Sequence, residues 1–150
     1  MTRVEASTEM RRRLTGERVA RLATTDAAGW PHLVPICFVL AGDVLYSAVD
    51  EKPKRSRDLK RLANIRADPR VTVLVDRYEE DWSRLWWVRL RGEGRVLEDG
   101  AERERALVLL AEKYAQYRAD PPAGPVIAVT VREWRDWSAA RTNATKKVSG

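Results

Sequence analysis

The sequence predicts a mainly β domain with added helices (α+β), its strands closed into one small barrel. Three observations carry this. First, 150 residues suit one domain, large enough to bury a core without staples. Second, the apolar pattern divides into six short β-type runs separated by turn residues, with helical periodicity in three places. Third, strict strand–helix alternation is absent, and so is any G-x-G-x-x-G or Walker A pattern, which argues against a doubly wound nucleotide fold.

Taken in order, Ser7 or Thr8 can cap a first helix, with Met10 and Leu14 on one face and Gly16 at its end. Residues 18–25 read as a first strand, and 26–29 hold turn residues. Residues 31–40 read as a second strand that is apolar on both faces, and such a strand is expected to be covered on both sides. Pro31 and Pro35 cannot donate ladder hydrogen bonds, so they belong at an edge or bulge. A tight turn at Gly42 and Asp43 leads to a third strand, Val44 to Val49. Residues 50–57 form a charged loop. A second helix follows, with Leu59, Leu62 and Ala63 on one side, stopped by Asp68 and Pro69. Val71, Val73 and Val75 alternate as a half-buried fourth strand. Residues 77–84 connect it to a long fifth strand, Leu85 to Leu97, where Gly92 and Gly94 predict a bulge or bend. An amphipathic helix spans 101–117. A proline-rich linker precedes the last strand, Val126 to Val131. The domain is expected to cover residues 1–138, with 139–150 a flexible tail.

Composition narrows the chemistry. One cysteine, Cys37, excludes an intrachain disulfide and a multi-cysteine zinc site, and one histidine, His32, excludes the common multi-histidine metal sites. No metal site is expected. No run approaches the roughly 20 apolar residues of a membrane helix, and the N-terminal residues lack a signal-peptide core. A soluble, cytoplasmic protein without membrane contact is expected. The 28 basic and 22 acidic side chains leave a net charge of +6, which suits an anionic partner or a solvated basic surface equally. No nucleic-acid motif is present, so nucleic acid is not the expected partner.

The sharpest local signal is Lys52, Lys54, Arg55 and Arg57, between a strand end and a helix start. Cations beside the N–H groups of a helix N-terminus make a phosphate site. A solvated loop neutralised by Asp50, Glu51 and Asp58 explains the same residues. Gly29 permits a close backbone approach, and His32 is a candidate donor toward a ligand or a strand histidine satisfied by its neighbours. Trp30, beside Gly29, covers a ligand or caps the turn. Cys37 reads as inert core, with no base in a triad pattern near it. In the fifth strand Trp86, Val88 and Leu90 share one face, and Trp87, Arg89 and Arg91 share the other. The second set fits either a planar anionic ligand, a dimer partner, or plain surface. With no nucleophile motif to assemble, any catalysis would come from a bound cofactor.

Several stretches together resemble the pyridoxamine 5′-phosphate oxidase-like family of split β-barrels. They are Arg21-Leu-Ala-Thr-Thr25, Gly29-Trp-Pro-His-Leu-Val-Pro35, Leu45 to Arg55 with its Asp-Glu-Lys-Pro-Lys-Arg ending, Leu62 to Val71, and Asp81 to Gly92. Within that family the chain looks most like the actinobacterial branch that uses coenzyme F420, a deazaflavin. The resemblance implies a six-stranded split β-barrel, FMN-binding-protein-like and homodimeric, with two cofactor sites at the subunit interface. It implies a hydride transfer between reduced F420 and a planar conjugated small-molecule substrate. FMN chemistry on the same fold, or a carrier without turnover, is the alternative. Carried over, Pro31, His32, Val34 and Pro35 flank the ring system, and Ser47, Val49 and Asp50 approach it. Lys54 and Arg55 hold the phosphate with Lys52 nearby, and Tyr78, Trp82, Trp87 and Trp137 come from the other subunit. His32 is the candidate proton donor. Arg57, Arg61, Arg89 and Arg91 suit the acidic glutamate tail that F420 has and FMN lacks.

Overall fold

The computed structural model describes residues 2–3, 5–49 and 55–141, with the side chains of residues 2–3 and 55–59 left out of the description. The elements are β1 (Thr2–Arg3), α1 (Thr8–Gly16), β2 (Ala20–Thr25), β3 (Pro31–Ile36), β4 (Val39–Ala41), β5 (Val44–Ala48), α2 (Arg55–Ala67), β6 (Arg70–Arg77), β7 (Trp86–Leu97), α3 (Ala101–Lys113), α4 (Ala115–Ala119) and β8 (Val126–Ser138). A single 3-10 turn, Trp82–Arg84, lies between β6 and β7.

Seven strands form one antiparallel path in the order β3-β2-β6-β7-β8-β5-β4, with β1 paired to β8 off that path. The two ends of the path are consecutive in sequence and are joined by Cys37 and Phe38 alone. The sheet therefore curls back on itself as a half-barrel. This corrects the expected six strands: the run 31–40 is two strands, one pairing β2 and the other β5. Phe38, at the break, has no ladder partner for its backbone. Its N–H instead donates to the Tyr114 hydroxyl at 3.0 Å, and that hydroxyl faces the carbonyls of Phe38 at 3.0 Å and Arg18 at 2.9 Å. Buried backbone groups need such partners, so a tyrosine from α3's end completes the sheet where the strand breaks. The same residue is extended (φ −116°, ψ 113°), which splits the expected helix 101–117 into α3 and α4.

Two further expectations change. β8 continues to Ser138, not Val131. A register shift at Arg91/Gly92 pairs Gly92 with Val131 but Arg91 with Glu133, leaving Arg132 as the extra residue of a bulge. The inward side chains of β8 change phase there, from Ile127, Val129 and Val131 to Trp134, Asp136 and Ser138. β3 is not covered on both faces within one chain, because Leu33 is 67% exposed and Pro31 and Pro35 are also exposed.

The core occupies the inside of the curl. Leu22, Val73, Leu90 and Trp134 meet Leu45, Ile127 and Val129 there, closed at one end by Met10 and Leu14 of α1 and elsewhere by Leu62 and Ile65 of α2. Ser7 caps α1 by accepting from the Met10 N–H at 3.1 Å. A second apolar cluster lies outside, where Ala106 and Leu110 of α3 cover Tyr46 and Ala48 of β5 and Ala128 of β8. Among the described residues no helix is long and apolar enough to cross a membrane, and no cluster of three or more His, Cys, Asp or Glu could hold a metal ion.

Candidate functional site

Alternation along β3 sends His32 and Val34 inward and Pro31, Leu33 and Pro35 outward. The turn before it is fixed by Asp26, whose Oδ1 accepts from the N–H groups of Ala28 and Trp30 at 2.9 Å, with Gly29 at φ 85°. His32 pairs across the ladder with buried Thr24, whose Oγ1 accepts from Nδ2 of Asn64 on α2 at 3.0 Å. The His32 Nδ1 is buried and has no hydrogen-bond partner among the described residues. Burial, then the positive charges of Lys60 and Arg61, hold the imidazole below its ordinary value, with Asp26 opposing. His32 is therefore neutral at pH 7. Because the unfolded chain binds that proton more readily, its contribution to stability is complete above about pH 6.5. It is lost as pH falls through the lower folded value. Acidification from pH 7 to 5 is expected to destabilise the wild type more than His32→Gln, a difference that denaturant titration at each pH will read.

Ser47 lies on the inward face of β5, 1% exposed, and its Oγ also lacks a partner among the described residues. Next to it the buried Val49 donates its N–H to the Pro125 carbonyl at 3.0 Å. β3 ends the sheet path on one side, and β5 lies one strand in from the other end. The two unpartnered polar groups thus stand on opposite sides of the split.

The outer face of the sheet is built in rows across the strands. One row reads Leu33, Ala23, Thr72, Arg91, Glu133, and the next Pro35, Arg21, Leu74, Arg89, Arg135. A third holds Asp76, Trp87 and Trp137. Arg21 binds Asp76 at 2.7 Å, Arg91 is 3.9 Å from Glu133, and the Arg89 guanidinium lies 5.6 Å from the Trp87 ring centroid. Arg89 and Arg135 stand directly opposite each other, and neither meets a carboxylate among the described residues. Like charges at such a pair are unfavourable, so the face is suited to an anion. At the bulge, a groove of about 610 Å³ is lined by Thr25, Pro31, Arg70, Thr72, Arg91 and Arg132 among others.

The structure thus brings Pro31, His32, Val34 and Pro35 onto one strand near α2, with Pro31 lining the same groove as Arg91. It does not bring Trp87 and Trp137 to Pro31 within one chain. Four residue steps along β6, from Thr72 to Asp76, separate the Leu33 row from the Trp87 row, about 13 Å at strand rise, and Pro31 lies further away. Tyr78 and Trp82 are exposed, at 69% and 65%, in the connection between β6 and β7. Asp50, Lys52 and Lys54 lie outside the described residues. Arg55 opens α2, and its side chain and that of Arg57 are likewise outside the description. Arg61 is half-buried on α2.

Sequence reasoning missed Asn64, Thr24 and Asp26, which shape the surroundings of His32. Asn64 had a signal: it is a polar residue on the helix face that buries Leu62 and Ile65. Arg135 had none, because only the bulge turns it to the outer face beside Arg89.

The sequence profile of the family described as pyridoxamine 5′-phosphate oxidase matches residues 6–138. The chain belongs to the pyridoxamine 5′-phosphate oxidase family. Solved structures share the family fold. A conserved hypothetical protein of Mycobacterium tuberculosis superposes with a TM-score of 0.74 at 19% identity, over 93% of this chain and 89% of the other. A FAD-binding protein of Mesorhizobium loti gives 0.65 at 23% identity, over 92% and 99%. The heme storage protein HutZ of Vibrio cholerae gives 0.66 at 14%, over 89% and 94%. At these identities the likeness establishes the fold of this family member, while its ligand is a matter for its own residues. No curated protein matches the chain.

Proposed function

We propose that this family member is a deazaflavin-dependent oxidoreductase. Two copies of the chain hold coenzyme F420 at their interface, and hydride moves between it and a planar conjugated small molecule. The observation that carries the reading is the opposed Arg89–Arg135 pair beside Trp87 and Trp137, an unneutralised cationic surface next to aromatic faces. It offers more positive charge than a single phosphate consumes, as an acidic tail requires.

In this reading the exposed Pro31, Leu33 and Pro35 of β3 form the apolar platform, and the second subunit covers them. Trp87 and Trp137 belong to the other subunit's site, because the register keeps them away from Pro31 in their own. Lys54 and Arg55, with Lys52 nearby, take the phosphate at the start of α2. When bound, the cofactor supplies the hydride chemistry. His32 points to the opposite face of β3 from this platform, so this reading does not give it the accompanying proton. Covering the platform excludes water and fixes donor and acceptor in contact.

The second reading is FMN on the same platform, favoured by the fold shared with the FAD-binding protein. Tryptophan-fluorescence titration of the cofactor-free protein with F420, FMN and hemin separates the possibilities. Saturable quenching by F420 at micromolar concentration, with FMN at least tenfold weaker, is expected, together with a dimer by sedimentation. Preference for FMN replaces the deazaflavin reading. A Soret band with hemin and no response to either flavin places the protein with heme binders.

A further inference from the structure

A separate cavity of about 360 Å³ opens where the end of α1 meets the β6–β7 connection, lined by Arg12, Arg13, Glu17, Arg77, Arg84 and Trp86 among others. Trp86 belongs to the inward phase of β7, so this cavity lies on the other side of the sheet from Arg89 and Arg135. Four guanidiniums share two carboxylates there. Glu9 holds Arg12 at 2.5 Å and Arg13 at 3.0 Å, and Glu79 holds Arg77 at 3.1 Å and Arg84 at 3.3 Å. Arg13, Arg77 and Arg84 meet these carboxylates at Nε, and their terminal nitrogens donate no hydrogen bond among the described residues. The Arg13 guanidinium is also seated 5.3 Å from the Trp86 ring centroid, and its side chain is 15% exposed. Glu17, at the C-cap of α1, is the third carboxylate of the cavity and forms no ion pair among the described residues.

Exposed ion pairs of this kind contribute little to stability, so the fold itself does not call for four arginines in one cavity. Each shared carboxylate instead fixes two guanidiniums and leaves the terminal donors of the fork to a ligand. Four guanidiniums against three carboxylates leave excess positive charge, which favours an anion. A phosphoryl group brings three strong acceptor oxygens and a charge of about −1.5 to −2 at neutral pH, one oxygen for each of the three forks. A carboxylate brings two oxygens and a single charge. We propose that this cavity binds the phosphoryl group of a small phosphorylated molecule, held by the terminal nitrogens of Arg13, Arg77 and Arg84. The volume is at the small end for ligand pockets and leaves room for a ring-sized body beside Trp86 and Leu85. This site is independent of the cofactor reading.

The test titrates the intact protein with phenyl phosphate by calorimetry at low salt, with benzoate as the carboxylate of similar shape. Saturable binding of phenyl phosphate is expected, about tenfold tighter than benzoate, the scale of one added hydrogen bond between charged groups. Arg77 and Arg84 are exposed, so the double variant Arg77→Gln, Arg84→Gln is expected to keep its melting temperature and its affinity for F420. Its affinity for phenyl phosphate is expected to fall at least about tenfold. Glu17→Gln removes the opposing charge and is expected to tighten binding about twofold, as suits an exposed like charge. Binding is expected to persist in Lys54→Ala, where the cofactor's own phosphate site is impaired. No saturable binding of phenyl phosphate overturns the proposal, and so does affinity retained in the Arg77, Arg84 variant or lost in Lys54→Ala. Benzoate binding as tightly as phenyl phosphate overturns the phosphoryl group as the ligand. An affinity that does not rise in Glu17→Gln overturns the placing of the anion beside that carboxylate.

Discussion

Replacing Gly92 with alanine is expected to destabilise the protein by about 3 kcal/mol, at the upper end of the ordinary overpacking range. A Cβ at this position would lie 2.1 Å from the Thr130 carbonyl oxygen and 2.9 Å from its carbon, both backbone atoms held in the β7–β8 ladder. No rotamer change relieves that contact, so one strand has to move. The expected drop in Tm is about 6–12 °C for a domain of this size. Gly94→Ala is the internal comparison. There the new Cβ meets the Ile65 side chain at 3.0–3.4 Å, which can rotate away, so a smaller loss is expected. Equal losses in the two variants would show that the close approach at Gly92 does not set the cost. The Gly92 effect also reaches function, because the bulge at Arg132 begins at this glycine and sets Arg135 opposite Arg89. Cofactor affinity in Gly92→Ala is expected to fall along with stability.

The second large effect is on cofactor binding. Lys54→Ala or Arg55→Ala is expected to weaken affinity by about 1.5–3 kcal/mol, or roughly 10- to 150-fold, the scale of a hydrogen bond to a charged group. Melting temperature should change little, because such a cation is there for its ligand. Raising the salt concentration should narrow the gap between wild type and variant. Isothermal titration with F420 at two salt concentrations reads the affinities, a thermal melt reads the stability, and unchanged affinity in both variants removes the phosphate from these residues. If Arg89→Ala weakens F420 more than FMN, the acidic tail lies on the outer face.

Local patterning carried much of this fold. The alternation in β7 put Trp86, Val88 and Leu90 inside and Trp87, Arg89 and Arg91 outside, as the structure has them. Period-two alternation is a property of the strand itself and needs no distant partner. Gly92 likewise announced a bulge. The strand break at Cys37 and Phe38 was hidden, because residues on both sides are apolar and compatible with a strand. What permits it is the hydroxyl of Tyr114, 76 residues away in sequence. β8 was read seven residues short for a related reason. Its inward phase changes at Arg132, so Trp134, Asp136 and Ser138 no longer continue the alternation begun at Ile127.

The candidate site divides along the same line. Residue type alone marked Pro31 as an edge residue and His32 as the lone imidazole, and it made the Lys52–Arg57 cluster, whose side chains lie outside the description, a candidate anion site. Those readings follow from missing donors, titration range and charge. The pairing of Arg89 with Arg135, the placing of His32 within reach of the Lys60 and Arg61 charges, and the separation of Trp87 from Pro31 are long-range facts. They depend on strand register and on where α2 crosses the sheet, and only the tertiary structure decided them. The sequence by itself determined which side of each strand is apolar and where cations concentrate. Which strands adjoin, and so which charges and rings meet, came from the closing of the sheet, because a ladder pairs residues that the chain order keeps far apart.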